Sequence, residues 1–266
     1  MDVPGYALIT GAASGIGRAC AFTFAQDGCA GLSLLDRDQT LLQTVESELR
    51  QSHPDLHIVI HALDVTDESQ VTTAVESTAS TFGRLDYVVN AAGVACKHKG
   101  GVAHATTSDW RRVLNVNLDG SFFVLRATAK IMLDQSPIKS SIDGRDLQRG
   151  SIVNFSSLQG LAGIAESAAY GASKHAIIGL TRSASEDYAG RGLRINAVCP
   201  GYTETPLTLK PEVLKVMEEK IQKGEQPIGR MGTAREIADA VVWLSGGRAS
   251  FVTGAAIAVD GGYTQR

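Results

Sequence analysis

Tyr170 and Lys174 stand four residues apart in Tyr170-Gly-Ala-Ser-Lys174, and Ser157 precedes the tyrosine by thirteen. If Tyr170 opens a helix, Lys174 lies one turn further on, on the same face. A free phenol has a pKa of about 10 and is a weak base at neutral pH. A neighbouring ammonium favours the phenolate and lowers that value, so the pair predicts a general acid/base at Tyr170. Ser157 ends a strand-like run, Ser151-Ile-Val-Asn-Phe-Ser-Ser157, where its hydroxyl could hold the oxygen that Tyr170 protonates or deprotonates. Tyr-x-x-x-Lys is a common spacing, and its meaning depends on what the rest of the chain builds around it.

Seven apolar, strand-like runs lie at residues 6–10, 31–36, 57–63, 85–90, 150–155, 194–199 and 256–259. Several are nearly all apolar, as strands covered on both faces are. Between them run helix-length amphipathic segments, one striped by Leu41, Leu42, Val45 and Leu49, another by Val71, Ala74, Val75 and Ala79. Repeated β-α order predicts a single parallel seven-stranded sheet with helices on both faces, a doubly wound α/β Rossmann architecture. Residues 1–266 then form one dinucleotide-binding and catalytic domain. Residues 134–149, polar with Pro137 and Gly144, read as an exposed loop. Residues 202–232 interrupt the alternation just after a strand with Pro206, Pro211 and Pro227, and are expected to form a substrate lid at the carboxyl edge of the sheet.

The same edge collects the candidate cofactor contacts. Thr10-Gly-Ala-Ala-Ser-Gly-Ile-Gly17 follows the first strand and opens the first helix, a setting in which glycines admit a pyrophosphate and the helix N-terminus supplies N–H donors. Its spacing is G-x-x-x-G-x-G, unlike the general G-x-G-x-x-G fingerprint. Asp36 ends the second strand, where a carboxylate accepts from both ribose hydroxyls and repels a 2′-phosphate. Arg37 could accommodate that phosphate, so NAD is expected and NADP stays open. Asp64 and Val65 follow the third strand, and Asn90-Ala91-Ala-Gly93 the fourth, positions that would flank the adenine and the central portion of the cofactor.

Net charge is −3, with 44% hydrophobic residues, which suggests no nucleic-acid partner. The N-terminus lacks a basic, then apolar, leader, and no apolar stretch approaches the roughly 20 residues that cross a bilayer. A cytoplasmic protein without a membrane partner is expected. Cys20, Cys29, Cys96 and Cys199 are scattered without metal-ligand spacing, so no metal is expected.

Taken in order, Thr10-Gly-x-x-x-Gly-Ile-Gly17, Asn90-Ala-Ala-Gly93, Asn115-Val-Asn117, Ser157, Tyr170-x-x-x-Lys174, Pro200-Gly201 and Val259-Asp-Gly-Gly262 resemble the short-chain dehydrogenase/reductase family over essentially the whole chain. One departure is Ala91, where the family usually carries a second Asn. The resemblance implies an oxidoreductase moving hydride between a nicotinamide ring and a substrate alcohol or carbonyl. It further implies Tyr170 as acid/base, Ser157 rather than Ser156 orienting the substrate oxygen, Lys174 binding the nicotinamide ribose, and Asn117, in a long helix, holding a relay water. Gly11, Ser14, Gly15, Ile16 and Gly17 fall in the cofactor loop, with Pro200, Gly201, Thr203 and Thr205 near the nicotinamide amide and phosphate. Arg126 matches a position that is frequently basic in the family, and it is counted among the cofactor contacts. The usual assembly is a homotetramer or homodimer using the long helices and the C-terminal segment, with Trp243 either at that interface or in the core.

The pocket is expected to be lined by residues 94–99, 158–166 and the segment from Tyr202 onward, with Leu158, Leu161, Ile164 and Leu207 making an apolar chamber. That predicts a small-molecule substrate, a hydrophobic secondary alcohol or ketone, polycyclic ones included, of the kind used in secondary metabolism. Lys97-His98-Lys99 at the rim would suit a 3-oxoacyl thioester or a polyol, the second reading. A cofactor-binding sensor is the third, and Asn117, Ser157, Tyr170 and Lys174 together argue against it. His175 reads as structural, and Glu166 as a loop acid in water.

Overall fold

The computed structural model describes residues 1–265. In chain order the elements are β1 (Tyr6–Thr10), α1 (Gly15–Gln26), β2 (Gly31–Asp36), α2 (Gln39–Ser52), β3 (His57–Ala62), α3 (Glu68–Phe82) and β4 (Tyr87–Asn90). Then follow α4 (Thr107–Leu114), α5 (Ser121–Asp134), β5 (Gly150–Phe155), α6 (Ala168–Tyr188), β6 (Leu193–Pro200), β7 (Thr203–Glu204), α7 (Pro211–Gln222), β8 (Gly232–Thr233), α8 (Ala234–Ser245) and β9 (Ala256–Val259). Seven strands form one parallel sheet in the order β3-β2-β1-β4-β5-β6-β9. The order reverses between β1 and β4, and a crevice opens there at the carboxyl ends.

Alternation along each strand feeds two cores. Ala7, Ile9, Leu32, Leu34 and Val89 meet Phe24 of α1, Leu42, Val45 and Leu49 of α2, and Ile237 and Val241 of α8 on one face. Leu8, Leu35, Val88 and Ile152 meet Val71, Ala74 and Val75 of α3, Val124 and Leu125 of α5, and Ala184 of α6 on the other. The expected stripes lose one member each: Leu41 is 46% exposed, and Thr78 rather than Ala79 is buried.

Helices α4 and α5 join without a break through a wide-turned stretch, Asn115–Gly120, so the long helix carrying Asn117 is locally under-wound there. Residues 134–149 are not a loose loop. Ile138 N–H donates to Gln148 O and Leu147 N–H donates to Ile138 O, each at 2.8 Å. The resulting hairpin is fastened to the N-terminus, because the Asp2 carboxylate accepts from Ser140 Oγ, Ser141 N and Ser141 Oγ. No helix among the described residues is long and apolar enough to cross a membrane.

The segment after β6 carries two short strands with no expected counterpart. β7 and β8 pair in parallel, Thr203 beside Gly232 and Glu204 beside Thr233. The buried Gln226 amide reinforces them: its Oε1 accepts from Tyr202 N at 2.9 Å and its Nε2 donates to Arg230 O at 2.6 Å. Both feet of the 202–232 segment are therefore tied together, with α7 between them.

Candidate active site

The crevice has a cavity volume of about 340 Å³, with one wall made by the turn after β1. Gly11 adopts φ +67°, and a Cβ there would lie 2.9 Å from Ala92 N; a Cβ on Gly17 would sit 2.2 Å from Gly11 O. Glycine at both positions lets the turn close against the end of β4 and into the first turn of α1. Thr10 Oγ1 accepts from Ala92 N at 3.1 Å and finishes that join. Helices α2, α3, α4 and α8 are each capped by a side chain, Asp38, Asp67, Thr106 and Thr233. Ser14, at the start of α1, makes no such bond, leaving its hydroxyl and the first N–H groups of α1 uncommitted. That donor set and positive helix end suit a diphosphate.

Asp36 faces this wall from the end of β2. Its Oδ2 accepts from Ala13 N at 3.0 Å and its Oδ1 from Asp38 N at 3.1 Å, so the carboxylate helps shape the glycine turn. Arg37, Asp64, Val65, Ala91, Gly93, Pro200, Gly201, Thr203 and Thr205 line the crevice with Gly11, Ser14, Gly15, Ile16 and Gly17. Ala91, the departure from the usual second Asn, contributes to the lining and packs its methyl against the core.

Two expected contacts lie elsewhere. Arg126 is half-exposed on α5, paired with Glu68 of α3 and stacked over Phe122, far enough along the helix that it takes no part in the crevice wall. Asn90 is buried beneath the crevice, its Nδ2 donating to Asn154 Oδ1 at 2.9 Å and Ser121 O at 3.3 Å, which ties β4 to β5 and α5. It supports the site without lining it.

At the far end of the crevice Ser157, Tyr170 and Lys174 come together. Ser156 spends its hydroxyl on Lys174 O at 2.8 Å, whereas Ser157 Oγ accepts from Gln159 N at 3.1 Å and lines the crevice with Tyr170. Lys174 Nζ donates to Phe155 O at 2.7 Å and lies 5.5 Å from the centre of the Tyr170 ring. Burial lowers the Lys174 ammonium to about 8. Burial also raises the Tyr170 phenol above its ordinary value, opposed by the Ser157 hydrogen bond. Desolvation is the largest influence on Tyr170 here, and the Lys174 ammonium donates to a backbone carbonyl. Asn117 is buried, its Oδ1 accepting from Val94 N at 2.8 Å, its Nδ2 donating to Val94 O and Ser173 Oγ, each at 3.0 Å. Those bonds fix the loop after β4 against α6.

Beside Ser157 lies an apolar cluster of Leu158, Tyr202 and Met231 with Ile164, Leu214, Met217, Ile221 and Tyr263. Leu158 and Ile164 belong to it as expected, while Leu161 and Leu207 are 40% and 46% exposed. Leu207 does line the crevice. The members missed from sequence are mostly on α7, where Leu214, Met217 and Ile221 recur at helical spacing, a signal hidden by the prolines around it. At the rim Lys97 and Lys99 are exposed, but His98 turns inward to Asp109 Oδ2 at 3.1 Å. Glu166, at φ +65°, does not simply meet water: its Oε1 accepts from Gly100 N. His175 is exposed and donates to Gly171 O at 2.9 Å. Trp243 is partly buried against the core.

A family described as "Enoyl-(Acyl carrier protein) reductase" matches residues 11–264. The short-chain dehydrogenase srdC of Neurospora crassa is 38% identical over 99% of this chain and 98% of its own length. The 2-(S)-hydroxypropyl-CoM dehydrogenase 3 of Xanthobacter autotrophicus is 40% identical over 96% of this chain and 95% of its own. Among solved structures, levodione reductase superposes with a TM-score of 0.89 at 34% identity, covering 100% of this chain and 99% of that one. With a sheet order, a glycine turn and a Ser-Tyr-Lys cluster of this kind already in place, these matches settle the kinship. The chain belongs to the short-chain dehydrogenase/reductase family, oxidoreductases acting on CH–OH groups with a nicotinamide cofactor.

Proposed function

We propose that this protein transfers hydride between NAD(H) and a hydrophobic secondary alcohol or the corresponding ketone, with Tyr170 as general acid/base. The observation that carries the reading is the convergence of Ser157, Tyr170 and Lys174 at the end of the glycine-turn crevice, directly beside an apolar cluster. The nicotinamide cofactor, when bound, supplies or accepts the hydride. The residues fit it: Ser14, Gly15 and Ile16 would hold the diphosphate, Asp36 the adenosine ribose, Asp64 and Val65 the adenine, Gly93 the middle, and Thr203 and Thr205 the nicotinamide end.

Ser157 holds the substrate oxygen within reach of the Tyr170 hydroxyl. In ketone reduction the hydroxyl gives its proton to that oxygen; in alcohol oxidation the phenolate takes it back. Lys174 stabilises the phenolate and contacts the ribose, while Asn117 holds the loop after β4 and a water that relays the proton onward. The phenol is protonated at neutral pH, the form that donates in ketone reduction, while alcohol oxidation needs the phenolate and is expected to speed up as pH rises. The segment 202–232 serves as the substrate lid, bringing Leu214, Met217 and Ile221 over the substrate, in keeping with their place in the apolar cluster. Asp36 favours NAD over NADP, and the active species is a homotetramer or homodimer.

The Xanthobacter relative's name is in keeping with a secondary alcohol, since a 2-hydroxypropyl group is one. The test is absorbance change at the nicotinamide band with NAD and NADP separately, across bulky alicyclic and aromatic alcohols, polyols and 3-hydroxyacyl thioesters. Turnover of bulky alcohols with NAD, absent in Tyr170→Phe, is the expected result. Turnover of acyl thioesters alone would overturn the substrate class.

A further inference from the structure

Thr203 lies in β7, paired with Gly232 of β8, whereas Thr205 reaches the crevice from the turn beyond, since β7 ends at Glu204. One side chain ties that turn back to the strand. Thr208 Oγ1 donates to Thr203 O at 2.6 Å, accepts from Thr205 N at 2.9 Å, and lies 3.1 Å from Thr205 Oγ1. One hydroxyl has one proton and two lone pairs, and these partners use all three. The backbone adds Thr208 N–H and Leu209 N–H to Thr205 O, at 3.0 and 2.9 Å, which closes the turn but leaves Thr205 N–H and Thr203 O to the hydroxyl.

The turn matters because of what it faces. A Cβ on Gly15 would sit 3.5 Å from Thr205 Cβ and 3.8 Å from Pro206 Cδ, so the turn bears on the start of α1 across the crevice. It forms the second wall of the cavity, opposite the glycine turn. Its position therefore sets the width of the gap that a dinucleotide must enter.

We propose that Thr208 is a positioning residue for cofactor binding: its hydroxyl presets the Thr203–Thr205 wall against Gly15, so that the wall need not be ordered when the cofactor binds. The proposal rests on the reading of the crevice as a nicotinamide site. A group that orders its wall beforehand changes affinity with little effect on the chemical step.

The test compares Thr208→Val, which keeps the shape and loses the hydroxyl, with Thr208→Ser, which keeps the hydroxyl. NADH binding is followed by fluorescence titration of the full-length protein, and amide hydrogen exchange is followed over residues 203–209. The expected result is that Thr208→Val binds NADH roughly tenfold more weakly, the weight of one to two net hydrogen bonds. Faster exchange at the Thr205 amide should accompany it, with kcat at saturating cofactor within about twofold of wild type, and Thr208→Ser should restore both readouts. NADH binding unchanged in a folded Thr208→Val protein would overturn the proposal, as would a serine variant that fails to rescue. If Thr208→Val does not fold, the serine variant and a Thr208→Ala protein supply the same comparison. Wild-type protein that binds neither NADH nor NADPH would overturn the reading of the crevice, and the proposal with it.

Discussion

Ser156 Oγ donates to the main-chain carbonyl of Lys174 at 2.8 Å, fastening helix α6 to the end of β5 one residue before Ser157. The bond fixes how far the Tyr170 and Lys174 side chains stand from Ser157, because all three ride on the two elements it joins. Adjacent serines thus divide the labour, one holding the frame and the other free to face the crevice.

Tyr170→Phe removes the proposed acid/base from that frame. Turnover is expected to fall by about 10²-fold to 10⁴-fold, the usual contribution of a positioned acid/base. NADH affinity, measured by fluorescence titration, should stay within a few-fold of wild type. Unchanged turnover would refute the mechanism.

Asp36→Ala removes the acceptor for Ala13 N as well as the expected ribose contact. NADH binding should weaken by roughly tenfold or more, in line with the loss of charge-assisted hydrogen bonds. NADPH should lose less, because the variant no longer opposes a 2′-phosphate. Parallel titrations with the two cofactors decide the matter; a wild type that already prefers NADPH would mean that Arg37 governs the choice.

Lys174 carries a pH signature in stability. Its ordinary value is 10.5 and burial in the folded protein brings it to about 8. Below about 8 both states carry the proton and the buried charge weighs fully against folding. Between those values the unfolded chain binds a proton that the folded chain does not, so stability rises with pH across that window. Lys174→Met has no such window. Melting temperatures of the two proteins across pH 7 to about 10.5 should draw wild type upward relative to the variant, and a flat difference would contradict the burial of the ammonium.

Gly17→Ala places a methyl group where Gly11 O lies 2.2 Å away, a backbone atom that cannot swing aside. A loss of about 1–3 kcal/mol is expected from denaturant unfolding, with dinucleotide binding lost alongside. An alanine variant as stable as wild type would mean that the glycine turn is looser than its geometry implies.

Arg126→Ala checks a residue that sequence resemblance placed at the cofactor and the structure places on the surface of α5. Its ion pair with Glu68 is exposed and contributes between nothing and about 1 kcal/mol. NADH affinity should not change, and a clear weakening would restore the residue to the site.

The seven strands of the sheet were legible within two residues because buried parallel strands are written as nearly unbroken apolar runs. β7 and β8 were not, since two residues carry no periodicity and their pairing is made by the return of a distant segment. The glycine turn and the Ser157, Tyr170 and Lys174 cluster were legible as ordered motifs. Their electrostatics were not: the spacing of Tyr170 and Lys174 says that they are neighbours, but only the packed structure says that Lys174 is buried and that Phe155 O takes the ammonium. Arg126 was misplaced for a related reason. A position in a helix fixes a face only when the neighbouring helix is known, and here that neighbour offers Glu68.

The clasp formed by Gln226, Tyr202 and Arg230 with the β7 and β8 pair, together with the turn closed by Thr208 and Leu209, makes residues between Leu209 and Gln226 a replaceable cassette. Closing a loop whose ends are already held together depends weakly on its length, about 0.6 kcal/mol for each doubling. Insertions, deletions and wholesale exchange between these feet can therefore reshape the apolar cluster beside Ser157 while the sheet, the glycine turn and Ser157, Tyr170 and Lys174 keep their places. A scaffold of this kind can change what it presents beside the crevice by rewriting one segment rather than by refolding.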